Sequence, residues 1–249
     1  MLSIREMIAT MVSRHAIDPD RVFVTGLSAG GAMASALLAT YPDVFAGGAI
    51  VAGLPFGAAG TVGQAFERMR GAGHVDAERY AELVRAASDH RGRWPAVSIW
   101  HGSAGATVAS GNADAILGQW LTLHGAGPEP DRHDVVDGAI HRSWRDGSGR
   151  VCVEDYRIAG MGHGTPLATA GSRACGVPTA YMLDVGISST WHSAARWGLL
   201  DTGAATEAGC QPDGTEDVQP RPSPSPSVHA GSGIQDTIEA ALRSAGLMR

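Results

Sequence analysis

An α/β fold, with a mostly parallel sheet and helices on both faces, is the architecture that this 249-residue sequence predicts. Short apolar segments alternate with segments of helical spacing, a pattern typical of parallel sheets. Hydrophobic residues make up 44% of the chain and charged residues 18%, which suits a globular domain with a buried core. A glycine-rich turn joins one apolar segment to the helix that follows it. Ligands bind at such strand-to-helix turns in α/β proteins, so we expect a site there.

The elements predicted from hydrophobic spacing run along the first 160 residues. The predicted helices are 3–15, 32–40, 76–88 and 112–123. The predicted strands are 21–25, 45–52, 96–100, 140–144 and 150–158. The last two strands flank an Asp-Gly-Ser-Gly segment, which predicts a hairpin. About four core strands should therefore be parallel.

Composition excludes several classes of function. The net charge is −6 with no basic cluster, so nucleic-acid binding is not expected. No segment reaches the roughly 20 apolar residues that span a bilayer. Nothing in the sequence predicts a metal or a cofactor. The three cysteines, Cys152, Cys175 and Cys210, allow one disulfide at most, and their pairing stays open. The six tryptophans are interpreted as core or hairpin packing rather than a polymer-binding groove.

The chain divides into three regions. Residues 1–210 are predicted to form the globular domain. A Pro/Ser-rich linker is predicted over 211–233, because it contains the run QPRPSPSPS. Apolar residues at helical spacing predict a short amphipathic helix over 234–249.

The turn at 26–30 has the pattern G-x-S-x-G between a predicted strand and a predicted helix. This context places Ser28 on the strained turn that carries the nucleophile of α/β-hydrolases. The glycines on either side, Gly26 and Gly30, are expected to let helix and strand approach closely. The backbone N–H of Ala29 would then be one donor to an oxyanion.

A serine nucleophile needs a base to take its proton. Ten histidines are present, and His163 is the best placed. It lies in a Gly-Met-Gly-His-Gly loop after the last predicted strand, and in this fold the base follows the nucleophile along the chain.

The third member of a triad should be a carboxylate between these two residues, just after a strand. Residues 101–108 (HGSAGATV) follow the strand at 96–100 and contain no acid. The nearest acid downstream is Asp114, in the first turn of a predicted helix, where acids more often interact with the helix dipole. The residues alone thus supply two parts of a triad.

Several segments of the chain resemble the poly(3-hydroxybutyrate) depolymerase family of esterases, which includes feruloyl and acetylxylan esterases. The resemblance lies in GLSAGGAMASALLATYPDVFAGGAIVAGLPFGAA, WPAVSIWHG, NADAILGQW, GMGHGTP and CGVPTAYMLDVGISSTWHSAARWGL. It covers most of 3–200 and implies an α/β-hydrolase fold and ester hydrolysis. Ser28 then corresponds to the nucleophile and His163 to the base.

The chain departs from this family pattern at two places. The family acid stands in an H-G-x-x-D-x-x-V loop, and Gly105 occupies that position here. Family members also have strands before the nucleophile turn and a His-Gly motif that supplies a second oxyanion donor. We expect the chain to be an N-terminally truncated version of the fold that lacks this donor.

Three interpretations follow from these residues. The chain is an impaired serine esterase acting on a polyester or an acylated plant polysaccharide, outside the cell as the family is. Alternatively, it is a non-catalytic relative that binds esters or polymers. In the third interpretation it is a fragment, or another chain completes its sheet, and an uncovered sheet edge then predicts self-association.

Overall fold

The computed structural model describes residues 1–200, which form a six-stranded sheet in the order β1-β2-β3-β6-β5-β4. The strands of this sheet are β1 (Phe23–Leu27), β2 (Gly47–Val51), β3 (Ala96–Gly102), β4 (Arg132–Val136), β5 (Ala139–Arg145) and β6 (Val151–Ile158). Strands β1, β2, β3 and β6 are mutually parallel, whereas β5 and β4 are antiparallel additions at one edge. The predicted mostly parallel sheet is therefore confirmed.

The helices are α1 (Leu2–Arg14), α2 (Ala29–Thr40), α3 (Val62–Met69), α4 (Ala77–Arg85), α5 (Gly111–His124) and α6 (Ser189–Arg196). A separate ribbon pairs β7 (Thr165–Leu167) with β8 (Met182–Asp184). The predicted linker at 211–233, the helix at 234–249 and Cys210 lie outside the described residues. Within residues 1–200, Cys152 and Cys175 form no disulfide with each other.

The two faces of the sheet are covered unequally. Helices α2, α4 and α5 pack on one face, where Trp120, Ile50 and Ile99 belong to a single buried cluster. The opposite face packs against the segment that carries the β7–β8 ribbon and α6, around Trp100 and Tyr156. Trp100, Trp120 and Trp144 are fully buried, which agrees with their interpretation as core residues.

Strand β1 forms an edge of the sheet, since β2 is its only neighbour among the described strands. Helix α1 precedes it and has no buried residue, while Leu2, Met7 and Met11 are largely exposed. Self-association through this edge stays a prediction. None of the helices within residues 1–200 has the length and apolar character required to cross a membrane.

Candidate active site

The site lies at the carboxyl edge of the parallel strands, where backbone hydrogen bonds continue beyond the strands themselves. Ser28 N–H donates to the carbonyl of Val51 at 2.9 Å, and Ala52 N–H donates to Trp100 at 2.9 Å. Ser103 N–H donates to the carbonyl of Ile158 at 2.9 Å and is the last of these hydrogen bonds. These bonds fix the turns after β1, β2, β3 and β6 at one edge of the sheet.

Ser28 sits between β1 and α2 in a strained backbone conformation. Its φ is 59° and its ψ is −117°, a combination that costs a non-glycine residue about 1–3 kcal/mol. Ser28 is half-buried and directly precedes α2, at whose amino terminus the helix dipole favours negative charge. Ala29 begins the helix, so its N–H has no intrahelical acceptor and remains a candidate oxyanion donor.

The glycines of the turn differ in their steric roles. A Cβ on Gly26 would lie 2.1 Å from the carbonyl oxygen of Gly30, and a Cβ on Gly31 would lie 2.9 Å from the carbonyl oxygen of Val51. A Cβ on Gly30 would meet no atom within 4 Å. Close packing of strand and helix thus requires Gly26 and Gly31. The expectation that Gly30 also makes room is wrong, because its Cα faces open space.

This difference predicts a matched pair of stability effects. Gly26→Ala should lower the free energy of unfolding by about 3 kcal/mol, because backbone must move to relieve the contact. Gly30→Ala should be neutral or slightly stabilising, since alanine favours the helical first turn that this residue occupies. Urea unfolding of the two variants measures both, and equal midpoints would contradict the assigned roles.

A small apolar pocket of about 40 Å³ opens beside the nucleophile position. Its walls come from the turn itself, from α3 and from the loop after β3: Ser28, Ala29, Ala32, Leu54, Ala65, Phe66, Met69 and Val108. A volume of this size is slightly larger than the roughly 30 Å³ that one water molecule occupies in the liquid. It suits a short apolar acyl group.

Sequence reasoning missed helix α3 and with it one wall of this pocket. The signal is present, because Val62, Ala65, Phe66 and Met69 recur at i, i+3, i+4 and i+7. Thr61 caps the helix by accepting a hydrogen bond from the N–H of Gln64 at 3.3 Å.

His163 lies in the loop that follows β6, at the same edge as Ser28. It is half-buried, and its Nδ1 is a buried atom with no hydrogen-bond partner among the described residues. Burial lowers the pKa of His163 below its ordinary value of 6.5, and a positive charge on the nearby ring of His101 would lower it further. The hydrogen bonds within residues 1–200 include none between His163 and Ser28.

Gly105 lies in the loop after β3, beside the buried ring of His101. A Cβ on Gly105 would lie 3.3 Å from the carbonyl oxygen of Gly102 and 3.6 Å from Cε1 of His101. The φ of Gly105 is outside the left-handed region, so the backbone admits a larger side chain. Val108, from the same loop, reaches the pocket at Ser28.

Two carboxylates at or near this edge of the sheet form ion pairs with arginine. Asp114, 64% exposed, accepts from Nη2 of Arg157 at 2.8 Å. The fully buried Asp155 accepts from Arg157 at 2.7 Å and from Arg142 at 2.6 Å. Neither acid forms a hydrogen bond with His163, whose Nδ1 has no carboxylate partner within residues 1–200.

Two other histidines do have carboxylate partners. His141 contacts Asp134 at 2.9 Å, and His192 contacts Asp137 at 2.9 Å. Both imidazoles pack around the ring of Tyr156. They belong to the packing between β4, β5, β6 and α6. Residues 1–200 contain no group of three or more His, Cys, Asp or Glu side chains arranged to hold a metal ion.

Comparison with known proteins shows that the chain is similar to a family of esterases. The family described as "Esterase PHB depolymerase" matches residues 1–129, which include Ser28 and Gly105. Poly(3-hydroxyalkanoate) depolymerase C of Paucimonas lemoignei is 41% identical over 201 residues, 80% of this chain and 49% of that protein. Feruloyl esterase B of Talaromyces stipitatus is 30% identical over 173 residues, 66% of this chain and 48% of that protein.

Among solved structures, an acetyl xylan esterase from Aspergillus awamori superposes with a TM-score of 0.63 at 22% identity. The superposition covers 80% of this chain and 66% of that one, and it agrees with the α/β-hydrolase fold. The chain spans about half the length of the curated relatives that it matches, at 49% and 48%.

Proposed function

Because the chain belongs to the PHB depolymerase family of esterases, we propose that it hydrolyses carboxylic esters through an acyl-enzyme formed on Ser28. The observation that carries this proposal is the backbone of Ser28, held at a φ of 59° at the amino terminus of α2 beside an apolar pocket. This strained turn exposes a hydroxyl group where a helix dipole and a free N–H favour negative charge.

The proposed reaction has two half-reactions. The Oγ of Ser28 attacks the ester carbonyl carbon while His163 takes the hydroxyl proton, and the N–H of Ala29 donates to the oxyanion. The intermediate collapses, the bond to the alkoxy oxygen breaks, and His163 protonates the departing alcohol. Water then attacks the acyl-enzyme with His163 again as base, which releases the acid and restores Ser28.

The substrate class follows from the pocket and the relatives. An apolar cavity of about 40 Å³ accepts a short acyl group such as acetyl or a small hydroxyacyl unit. The named relatives are a polyhydroxyalkanoate depolymerase and a feruloyl esterase. We therefore propose a polyester or an acylated plant polysaccharide as the natural substrate, and an extracellular location as the family resemblance implies.

A pre-steady-state burst with p-nitrophenyl acetate tests the proposal. We expect one equivalent of nitrophenol per chain, followed by slow turnover, because the acyl-enzyme forms and then waits for water. Release that never exceeds the rate in buffer alone would overturn it.

A non-catalytic ester-binding relative is the second candidate, and Gly105 favours it. Without a carboxylate, the imidazolium of His163 has no charged partner, and replacement of the triad carboxylate lowers kcat by about 10⁴-fold in a serine protease. Binding of short 3-hydroxybutyrate oligomers without any burst is the result this candidate predicts.

The pH profile of the reaction should reflect the buried base. His163 must be neutral to accept a proton, and burial lowers its pKa below 6.5. The rate constant kcat/KM should therefore rise with pH through a midpoint below 6.5 and stay level near pH 7. A new carboxylate at residue 105 stabilises the imidazolium, so Gly105→Asp should move the midpoint to higher pH. A midpoint above 7 in the natural chain would contradict this assignment.

A further inference from the structure

The ring of His101 is buried at the end of β3, and one of its two nitrogens forms a hydrogen bond. It is 2% exposed, and its Nδ1 lies 2.9 Å from the carbonyl oxygen of Gly102. A carbonyl only accepts hydrogen bonds, so Nδ1 carries the proton in the neutral ring. Nε2 is then a lone-pair acceptor, and it is buried with no partner among the described residues.

His101 is neutral at ordinary pH. Burial lowers its pKa, and this effect outweighs the carbonyls of Gly102 and Val108, which favour the charged form. A buried acceptor without a donor costs free energy. A donor at this nitrogen would remove that cost.

His163 presents the complementary group. To act as base through Nε2, its ring must carry a proton on Nδ1, the nitrogen that is buried and unpartnered in the described part of the chain. The two loops are held together by the N–H of Ala104, which donates to Met161 at 2.9 Å. Gly102 packs so tightly there that a Cβ would lie 2.3 Å from the carbonyl oxygen of Met161.

We propose that Nε2 of His101 accepts the hydrogen bond from Nδ1 of His163 and positions it as the base for Ser28. His101 thereby replaces the carboxylate that Gly105 leaves out. Catalytic hydrogen bonds are often long in an empty site and tighten when substrate binds. A neutral acceptor fixes the tautomer of His163 but does not offset the charge of the imidazolium. This inference rests on the proposed esterase function.

A double-mutant cycle separates this positioning role from a structural one. His101→Phe removes the acceptor and keeps an aromatic ring, and should lower kcat for p-nitrophenyl acetate by at least about tenfold. In a Gly105→Asp background the aspartate takes the hydrogen bond, so the same change should cost less than about threefold. Equal losses in the two backgrounds would overturn the proposal.

Two further variants test whether the loss of rate in His101→Phe comes from the missing hydrogen-bond acceptor. His101→Gln places an amide oxygen near the position of Nε2, so it should recover most of the rate lost in His101→Phe. His124→Phe is the matched control, because His124 is another partly buried histidine, bonded to the carbonyl of Pro95 at 3.1 Å in a different part of the fold. It should leave kcat unchanged. Loss of rate in the glutamine variant equal to that in the phenylalanine variant counts against the proposal.

Nitrogen-15 NMR of the histidines tests the hydrogen bond between His163 and His101 even if the chain does not turn over an ester. With a phosphonate bound at the site, His163 should carry a slowly exchanging proton on Nδ1, and His101 should show a bare Nε2. The His163 proton should exchange rapidly in His101→Phe. A proton on Nε2 of His101, or an unchanged His163 signal in the variant, would refute the pairing. Absence of ester turnover together with an intact pairing would instead refute the esterase function.

Discussion

Ser28→Ala should abolish covalent labelling by a fluorophosphonate and reduce ester turnover to the rate of the uncatalysed reaction. Only an activated hydroxyl attacks the phosphorus atom, and the strained turn after β1 presents Ser28 with a helix amino terminus and the Ala29 N–H beside it. Alanine keeps the backbone and removes the reacting oxygen. Mass spectrometry of the intact chain and of its peptides measures the adduct and its position.

The matched control for this experiment is Ser35→Ala. Ser35 lies on the same helix, is fully buried, and its hydroxyl group has no hydrogen-bond partner among the described residues. Its variant should be labelled at the same rate as the natural chain. Equal labelling of the Ser28 variant would show that the nucleophile is a different residue.

Gly105→Asp should raise kcat/KM for p-nitrophenyl acetate by at least about tenfold, part of the roughly 10⁴-fold that a triad carboxylate contributes. The φ of residue 105 admits a side chain, and the carbonyl oxygen of Gly102, 3.3 Å from the new Cβ, must shift by a few tenths of an ångström to make room for it. The new carboxylate lies beside His101 in the loop that reaches the Ser28 pocket, where it orients His163 and stabilises the imidazolium.

Gly105→Asn serves as the control, because it has the same shape without the charge. Its rate should remain close to that of the natural chain. If Gly105→Asp gives no gain in a folded protein, the missing acid does not limit the reaction. If the natural chain already reaches ordinary esterase rates, a different acid is in use. Asp114→Asn is then the first variant to measure, and this change also removes the ion pair between Asp114 and Arg157.

Parts of the fold with strong hydrophobic periodicity were predictable from sequence. The pattern over 76–88 matches α4, which Asp76 caps by accepting from the N–H of Arg79 at 2.7 Å. Strand β4 (Arg132–Val136) was missed, because it lies at the sheet edge with mostly polar, partly exposed residues. Strands β7 and β8 have three residues each and are fixed by tertiary contacts rather than by local pattern.

The candidate site was predictable where a local motif encodes it. The turn at Ser28 and the glycine-flanked His163 can both be recognised from short sequence motifs. The partner for Nδ1 of His163 was not, because a histidine inside a buried strand resembles a core residue until its free nitrogen is located. The pocket wall from α3 was missed, although the apolar residues of this eight-residue helix recur at helical spacing.

The strained backbone of Ser28 has a consequence for the stability of the folded chain. Glycine at that position would relieve about 1–3 kcal/mol of strain, a large fraction of the 5–15 kcal/mol by which most domains are stable. A chain whose hydroxyl group at residue 28 had no use would gain stability from a single Ser-to-Gly change. Serine at this position is therefore a cost to the folded state that glycine would avoid. Ala52, which follows β2 at the same edge, also has a positive φ, of 44°, so strained backbone occurs at this edge without a reactive side chain as well.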